Sequence, residues 1–281
     1  MRALITGGSG YVGSHLCKHF ERDSTQIDIA RPGRDNGTEW RLCDVRDADA
    51  VHQAAVHYAP DIIFHLAAVP GLVAGGLDTQ IRGTQHVLSA ADAVNAPVVL
   101  ASSAAVYSLP EFTQGSSRFI SEYAIGKRSA ELLCECSPVC TVALRLSNIY
   151  GPPWPKGVVA AFARAARAGE LPTLTDPTLC RDFVHVRDVV SAFVAAKNWL
   201  LDPCAPAHDV FDICTGVETS LLTLWERIAA VHGREARFQL GKPRPGDRPE
   251  GGQDPTQALD RLGWAAETSL EEGLRELSLL S

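Results

Sequence analysis

Tyr123 and Lys127 stand four residues apart in the stretch Ser121-Glu122-Tyr123-Ala124-Ile125-Gly126-Lys127. On a helix this spacing stacks the two side chains on one face, a single turn apart. A phenol beside an ammonium makes a base, because the positive charge favours phenolate and draws the tyrosine down from its ordinary pKa of about 10. Such a group can take a proton from an alcohol when it lies within hydrogen-bond reach. The same pairing recurs on exposed helices with no chemistry attached, so its meaning depends on what else the chain carries.

The first thirteen residues carry a companion signal. Arg2-Ala3-Leu4-Ile5-Thr6 reads as a short buried strand, and Gly7-Gly8-Ser9-Gly10-Tyr11-Val12-Gly13 follows at once. A helix then begins, with Val12, Leu16, His19 and Phe20 expected on one apolar face. Gly8, Gly10 and Gly13 satisfy G-x-G-x-x-G in the strand–turn–helix setting that the pattern requires. Glycines allow a tight turn and let backbone approach a pyrophosphate, and the helix start offers free N–H groups to hold it. A glycine turn that merely packs a helix on a sheet is the plainer reading, but the preceding strand favours dinucleotide binding.

These groups need a scaffold, and the chain alternates strand and helix as a parallel sheet demands. Further strands are expected over 26–30, 40–43, 61–65, 96–101 and 140–146, with helices over 48–58, 78–94 and 120–136. Beyond residue 150 prolines interrupt the alternation, and 241–254 reads as a long loop rich in Pro, Gly and Arg. The expected architecture is α/β: a Rossmann-type doubly wound parallel sheet with a smaller C-terminal substrate-binding lobe. Residues 1–150 form the dinucleotide-binding core, and 151–281 mainly the lobe, with some segments returning to the sheet.

Composition narrows the partners. The 281 residues carry 33 acidic and 26 basic side chains, a net charge of −7 that argues against nucleic acid or an anionic membrane. No leader precedes the first strand and no apolar run approaches the roughly 20 residues of a membrane span, so a cytoplasmic location is expected. The eight cysteines form no C-x-x-C pair and are expected as free thiols. His15, Cys17 and His19 lie on a helix that should pack behind the glycine loop, and no metal site is expected there.

With the glycine loop, Ser102-Ser103-Ala104-Ala105-Val106-Tyr107 and the Tyr123/Lys127 pair in this order, the chain resembles the extended short-chain dehydrogenase/reductase superfamily. Within it, the likeness is to the nucleotide-sugar epimerase/dehydratase group. Six further stretches carry the resemblance along nearly the whole chain: His65-Leu66-Ala67-Ala68, Arg145-Leu146-Ser147-Asn148-Ile149-Tyr150-Gly151-Pro152, Arg181-Asp182-Phe183-Val184-His185-Val186-Arg187-Asp188, Thr215-Gly216-Val217-Glu218-Thr219-Ser220, Arg244-Pro245-Gly246-Asp247 and Leu262-Gly263-Trp264.

The resemblance implies Tyr123 as catalytic acid/base, Ser103 on the reacting sugar oxygen, and Lys127 on the nicotinamide ribose. It implies Gly7, Gly10, Tyr11, Val12 and Gly13 around the pyrophosphate, and Asp44 and Val45 against adenine. Leu66, Ala67 and Ala68 would line the path of the cofactor. Asn148, Arg181 and Arg244 would grip the diphosphate of a nucleotide sugar, and two guanidiniums suit that task because each can bond bidentately. A homodimer through helices 78–94 and 120–136 is implied as well.

Departures from the group's pattern refine this. The second strand is expected to end at Ala30, followed by Arg31, where members that prefer NAD carry an acid; this favours NADP(H), with NAD(H) possible. Asp28 would lie too early in that strand and point away. Ala104 and Ala105 replace the acid pair of sugar dehydratases, which disfavours water elimination. Gln80 stands in place of the group's Asn. The leading expectation is an NAD(P)-dependent nucleotide-sugar epimerase working at C4 through a 4-keto intermediate. The alternatives are an NADPH-dependent 4-keto-sugar reductase and a non-catalytic dinucleotide sensor.

Overall fold

A computed structural model describes residues 1–33, 37–69, 76–113, 121–153, 157–242 and 252–279. In the first half, strand and helix alternate: β1 (Ala3–Thr6), α1 (Tyr11–Phe20), β2 (Ser24–Asp28), β3 (Glu39–Leu42), α2 (Ala48–Tyr58), β4 (Ile62–His65), α3 (Gly76–Val94), β5 (Val98–Ser103), a short α4 (Pro110–Thr113), α5 (Glu122–Glu135) and β6 (Thr141–Leu146). The second half holds β7 (Asn148–Tyr150), α6 (Val158–Ala168), β8 (Thr173–Leu174), β9 (Cys180–His185), α7 (Val186–Leu200), β10 (His208–Ile213), β11 (Glu218–Ser220), α8 (Leu221–Val231), β12 (Gln239–Leu240), α9 (Thr256–Leu262) and α10 (Leu270–Leu279).

Seven strands form one parallel sheet in the order β10-β6-β5-β4-β1-β2-β3. Its strands are short apolar runs because both faces are covered. Ile5, Phe64, Val99 and Leu144 pack on one face with Leu16 of α1 and Phe193 of α7. Their neighbours Leu4, Ile63, Leu100 and Ala143 pack on the other with Val51 of α2, Val87 of α3 and Ala130 of α5. The alternation of side chains along each strand thus feeds two cores, which is what a doubly wound sheet requires. A third core joins Phe162, Phe183, Leu224, Trp225 and Leu274 in the C-terminal half. There β7, β9 and β11 make a small mixed sheet, and β10 returns to the edge of the large one.

The ends of β2 and β5 differ from expectation, with consequences for the site. Helix α1 stops at Phe20 and a tight turn spans Glu21–Asp23, so β2 runs 24–28 and not 26–30. Strand β5 extends to Ser103, two residues past the expected end. On α1 the buried stripe is Gly13, Leu16 and Cys17, while His19 is exposed. A stripe at i, i+3 and i+4 is tighter than the expected one, and the small Cys17 lets the helix lie close to the sheet.

Candidate active site

The C-terminal ends of β1, β4, β5 and β6 open into one cavity of about 280 Å³. This is the edge at which parallel α/β sheets bind ligands. Gly7, Gly10, Tyr11, Val12 and Gly13 line it from the glycine loop, Leu66 and Ala68 from beyond β4, Ser103 from β5, and Tyr123 and Lys127 from α5. Ala101, Ser102, Leu146, Ser147 and Ile149 complete it, and sequence reasoning gave none of these five a role in the site.

The glycine loop is built for close approach. Gly7 has φ +72°, a left-handed conformation open to glycine, and a Cβ there would sit 2.7 Å from the Ala67 backbone nitrogen. A Cβ on Gly13 would fall 2.1 Å from the Gly7 carbonyl oxygen. Helix α1 starts at Gly10 with no side-chain cap, so its first N–H groups face the cavity mouth without a partner from the chain's own caps. Bare backbone donors and a helix N-terminus suit a pyrophosphate, and this cradle fits a dinucleotide. Ala67 lies behind the cavity wall, where its N–H donates to Thr6 Oγ1 at 3.1 Å.

A buried hydrogen-bond chain sets the floor beneath the loop. Thr6 Oγ1 takes the Ala67 N–H and gives its own proton to His65 Nδ1 at 2.7 Å. The ring must then carry its proton on Nε2, which donates to Thr84 Oγ1 at 3.1 Å, and that hydroxyl donates to the Gln80 carbonyl. Burial pushes His65 down to about 3, so the ring is neutral.

At the reaction end, Ser103 closes β5 and accepts the Ala105 N–H at 3.2 Å, leaving its hydroxyl proton for the bond it shares with Tyr123. Lys127 is 5% exposed, and its Nζ donates to the Ala101 carbonyl at 2.5 Å. Burial pushes the ammonium down to about 8, opposed by the Glu131 carboxylate. Here the structure corrects the expected pull of Lys127 on the phenol. Nζ is turned to Ala101 and lies 5.8 Å from the Tyr123 ring centre, and burial holds Tyr123 above its ordinary value despite the Ser103 bond. Tyr123 is therefore a neutral phenol in the resting site.

A second correction concerns the cofactor's ribose. Because β2 ends at Asp28, that carboxylate stands at the strand terminus and accepts the Ser9 N–H of the glycine loop at 2.9 Å and the Ala30 N–H at 3.1 Å. Asp28 thus occupies the place where an acid was expected to be missing. Arg31 is exposed, its guanidinium 6.0 Å from the Trp40 ring centre. The misreading came from apolar Ile29, which reads as strand but is 64% exposed beyond it.

Other expected site residues lie farther out. Asp44 follows β3 and pairs with Arg46 at 2.5 Å, while Val45 is buried against α3, where Gly83 leaves room for it. Asn148 and Arg181 sit on the small mixed sheet, and the Arg181 guanidinium donates to the Cys180 carbonyl at 2.8 Å. Arg244 lies outside the described residues. All eight cysteines are free. Among the described residues no helix is long and apolar enough to cross a membrane, and no cluster of His, Cys, Asp and Glu could hold a metal ion.

Residues 3–201 match the model of the NAD-dependent epimerase/dehydratase family. The chain belongs to this family. The likeness to family members runs end to end: a UDP-glucose 4-epimerase of Mycolicibacterium smegmatis is 30% identical over 98% of this chain and 96% of its own length. Among solved structures, the UDP-glucose 4-epimerase of Thermotoga maritima with UDP-glucose superimposes with a TM-score of 0.87 at 25% identity, covering 99% and 98% of the two chains. The UDP-glucose 4-epimerase of Thermus thermophilus in complex with NAD gives 0.83 at 26% identity, covering 98% and 97%. The chain is an enzyme of the epimerase/dehydratase family with a Rossmann-like sheet and a nicotinamide dinucleotide cofactor.

Proposed function

We propose that the chain is a nucleotide-sugar 4-epimerase that uses NAD(H). The observation that carries this reading is the single cavity in which the glycine cradle faces Ser103, Tyr123 and Lys127. The cofactor, when bound, accepts a hydride from the sugar carbon and returns it. Tyr123, a phenol in the resting site, must first release its own proton to solvent, which the positive charges of Lys127 and of an oxidised nicotinamide would favour. As phenolate it takes the C4 hydroxyl proton in step with that transfer and gives it back on the return. Ser103 donates to the same oxygen and holds it in line with the phenol. Lys127 holds the ribose and lends its charge while the proton is away from oxygen. Ala104 and Ala105 offer no carboxylate for eliminating water, which supports epimerisation over dehydration.

Asp28 supports NAD over NADP, because a carboxylate accepts from a ribose 2′-hydroxyl and repels a 2′-phosphate. This also removes the argument that favoured a net reductase. Relatives that hold UDP-sugars support a uridine diphosphate sugar as substrate, and we assign its grip to Asn148, just before the lobe begins, and to Arg181 and Arg244 beyond residue 150. A homodimer through α3 and α5 accords with exposed Ile125 and Leu132, which are 40% and 44% accessible seven residues apart on α5.

The test is Tyr123→Phe in the purified protein with UDP-galactose and UDP-glucose. Turnover should be lost while cofactor binding persists, and full activity in the variant would sink the mechanism. Denaturing the wild type should release NAD⁺; an empty protein that consumes NADPH with a keto-sugar would favour the reductase.

A further inference from the structure

One buried charge in this fold has no part in the mechanism above. Glu131 lies on α5, one helical turn beyond Lys127, and is 0% exposed. Its carboxylate accepts Arg145 Nε and Nη2, each at 2.9 Å, Arg128 Nη1 at 3.2 Å and Ser102 Oγ at 2.5 Å. A fully buried carboxylate is costly unless paired, and two guanidiniums pair with this one. The same helix face carries a second buried charge, the Lys127 ammonium, whose close acceptor is the neutral Ala101 carbonyl. Glu131 is the carboxylate whose charge acts on that ammonium, from one helical turn away.

We propose that Glu131 is a positioning residue of the active site, supplying the counter-charge that keeps the buried Lys127 ammonium in place at the Ala101 carbonyl. The proposal rests on the reading of Ser103, Tyr123 and Lys127 as the reaction centre. Ser102, which Glu131 grips, immediately precedes Ser103, so the same carboxylate also ties α5 to the strand end that carries the serine. Lys127 is faced by Tyr123 on its own helix and by His65 of β4. Glu131 is faced by Arg128 and Cys134 on α5, Arg145 of β6, and His208 and Asp212 of β10. Between pH 7 and pH 10, His65 and His208 are neutral, Tyr123 keeps its proton, and so does Cys134, which burial pushes to about 12. Lys127 is then the group of this set that changes charge.

The test titrates Lys127 in the folded chain rather than reading turnover. Its ammonium is held at about 8, against about 10.4 for an exposed lysine. In the full chain carrying 13C-labelled lysine, the Cε resonance that is lost in Lys127→Arg is followed by NMR from pH 6 to pH 10. In Glu131→Gln its midpoint should lie about one pH unit lower, because the ammonium has lost its counter-charge. Arg128→Gln should move it the other way, since one competing positive charge is gone; this variant carries the test if Glu131→Gln does not fold. A midpoint unchanged in the variants that fold would make Glu131 a structural residue and overturn the proposal. Wild-type inactivity on every nucleotide sugar would instead defeat the epimerase reading and leave the titration to judge Glu131.

Discussion

Gly13→Ala sets two ordinary rules against each other. Gly13 is in the first turns of α1, where alanine is the better helix former by about 0.8–1.0 kcal/mol. Propensity alone predicts a more stable protein. The added Cβ, however, would lie 2.1 Å from the Gly7 carbonyl oxygen and 2.9 Å from both the Gly7 carbonyl carbon and Gly8 Cα. These are backbone atoms, with no flexible side-chain end to swing aside. To reach even a tight 3.0 Å contact the Gly7 oxygen must retreat by nearly an ångström. That oxygen accepts the Gly10 N–H at 3.0 Å, so retreat also breaks the turn. Overpacking costs about 1–3 kcal/mol, and the lost turn bond about 1 kcal/mol. Set against the propensity gain, the net is a destabilisation of about 1–3 kcal/mol, or roughly 2–6 °C in Tm for a chain of this size.

The cradle should suffer more than the fold. Misaligning one donor to a phosphate oxygen costs about 1.5–3 kcal/mol, so NAD⁺ should bind about 10–100-fold more weakly. Differential scanning calorimetry and titration calorimetry with NAD⁺ read the two effects separately. Gly33→Ala is the control, since a Cβ there meets nothing within 4 Å. Gly13→Ala with an unchanged or raised Tm and wild-type NAD⁺ affinity would refute the packing argument and the placing of the pyrophosphate on this loop.

Other expectations follow from single groups. Asp28→Ala should weaken NAD⁺ binding about 10-fold or more and narrow the gap to NADP⁺; a wild type that already prefers NADP⁺ in fluorescence titration would contradict the role of Asp28. His65, pushed down to about 3, should make the protein acid-labile: the unfolded ring takes up a proton below about 6.5 and the folded one does not. Stability should therefore fall as pH drops from 6.5 towards 3, and urea midpoints for His65→Gln should show a shallower slope from pH 7 to pH 5. Ile125→Asp combined with Leu132→Asp should give a monomer in sedimentation, and a monomeric wild type would dismiss α3 and α5 as an interface.

Much of the fold was legible because its signals are local. Two-faced strands read as short apolar runs, and Gly8, Gly10 and Gly13 mark a strand–turn–helix by their spacing alone. Tyr123 and Lys127 were legible as a pair because one helical turn is a fixed length. Asp28 was misjudged because its meaning turns on where β2 ends, and that end is set by pairing with β1, where Thr6 faces Ile27. Glu131 was invisible because nothing in the sequence announces that Arg145, fourteen residues away, returns to clasp it.

The sequence by itself determined that a dinucleotide cradle, a serine at a strand end and a tyrosine–lysine turn exist, since each depends on neighbours within a few residues. Tertiary structure decided their electrical state. Burial, not Lys127, governs the Tyr123 phenol, and burial opposed by Glu131 governs Lys127. Desolvation depends on every element packed around a group, and spacing along the chain does not encode it.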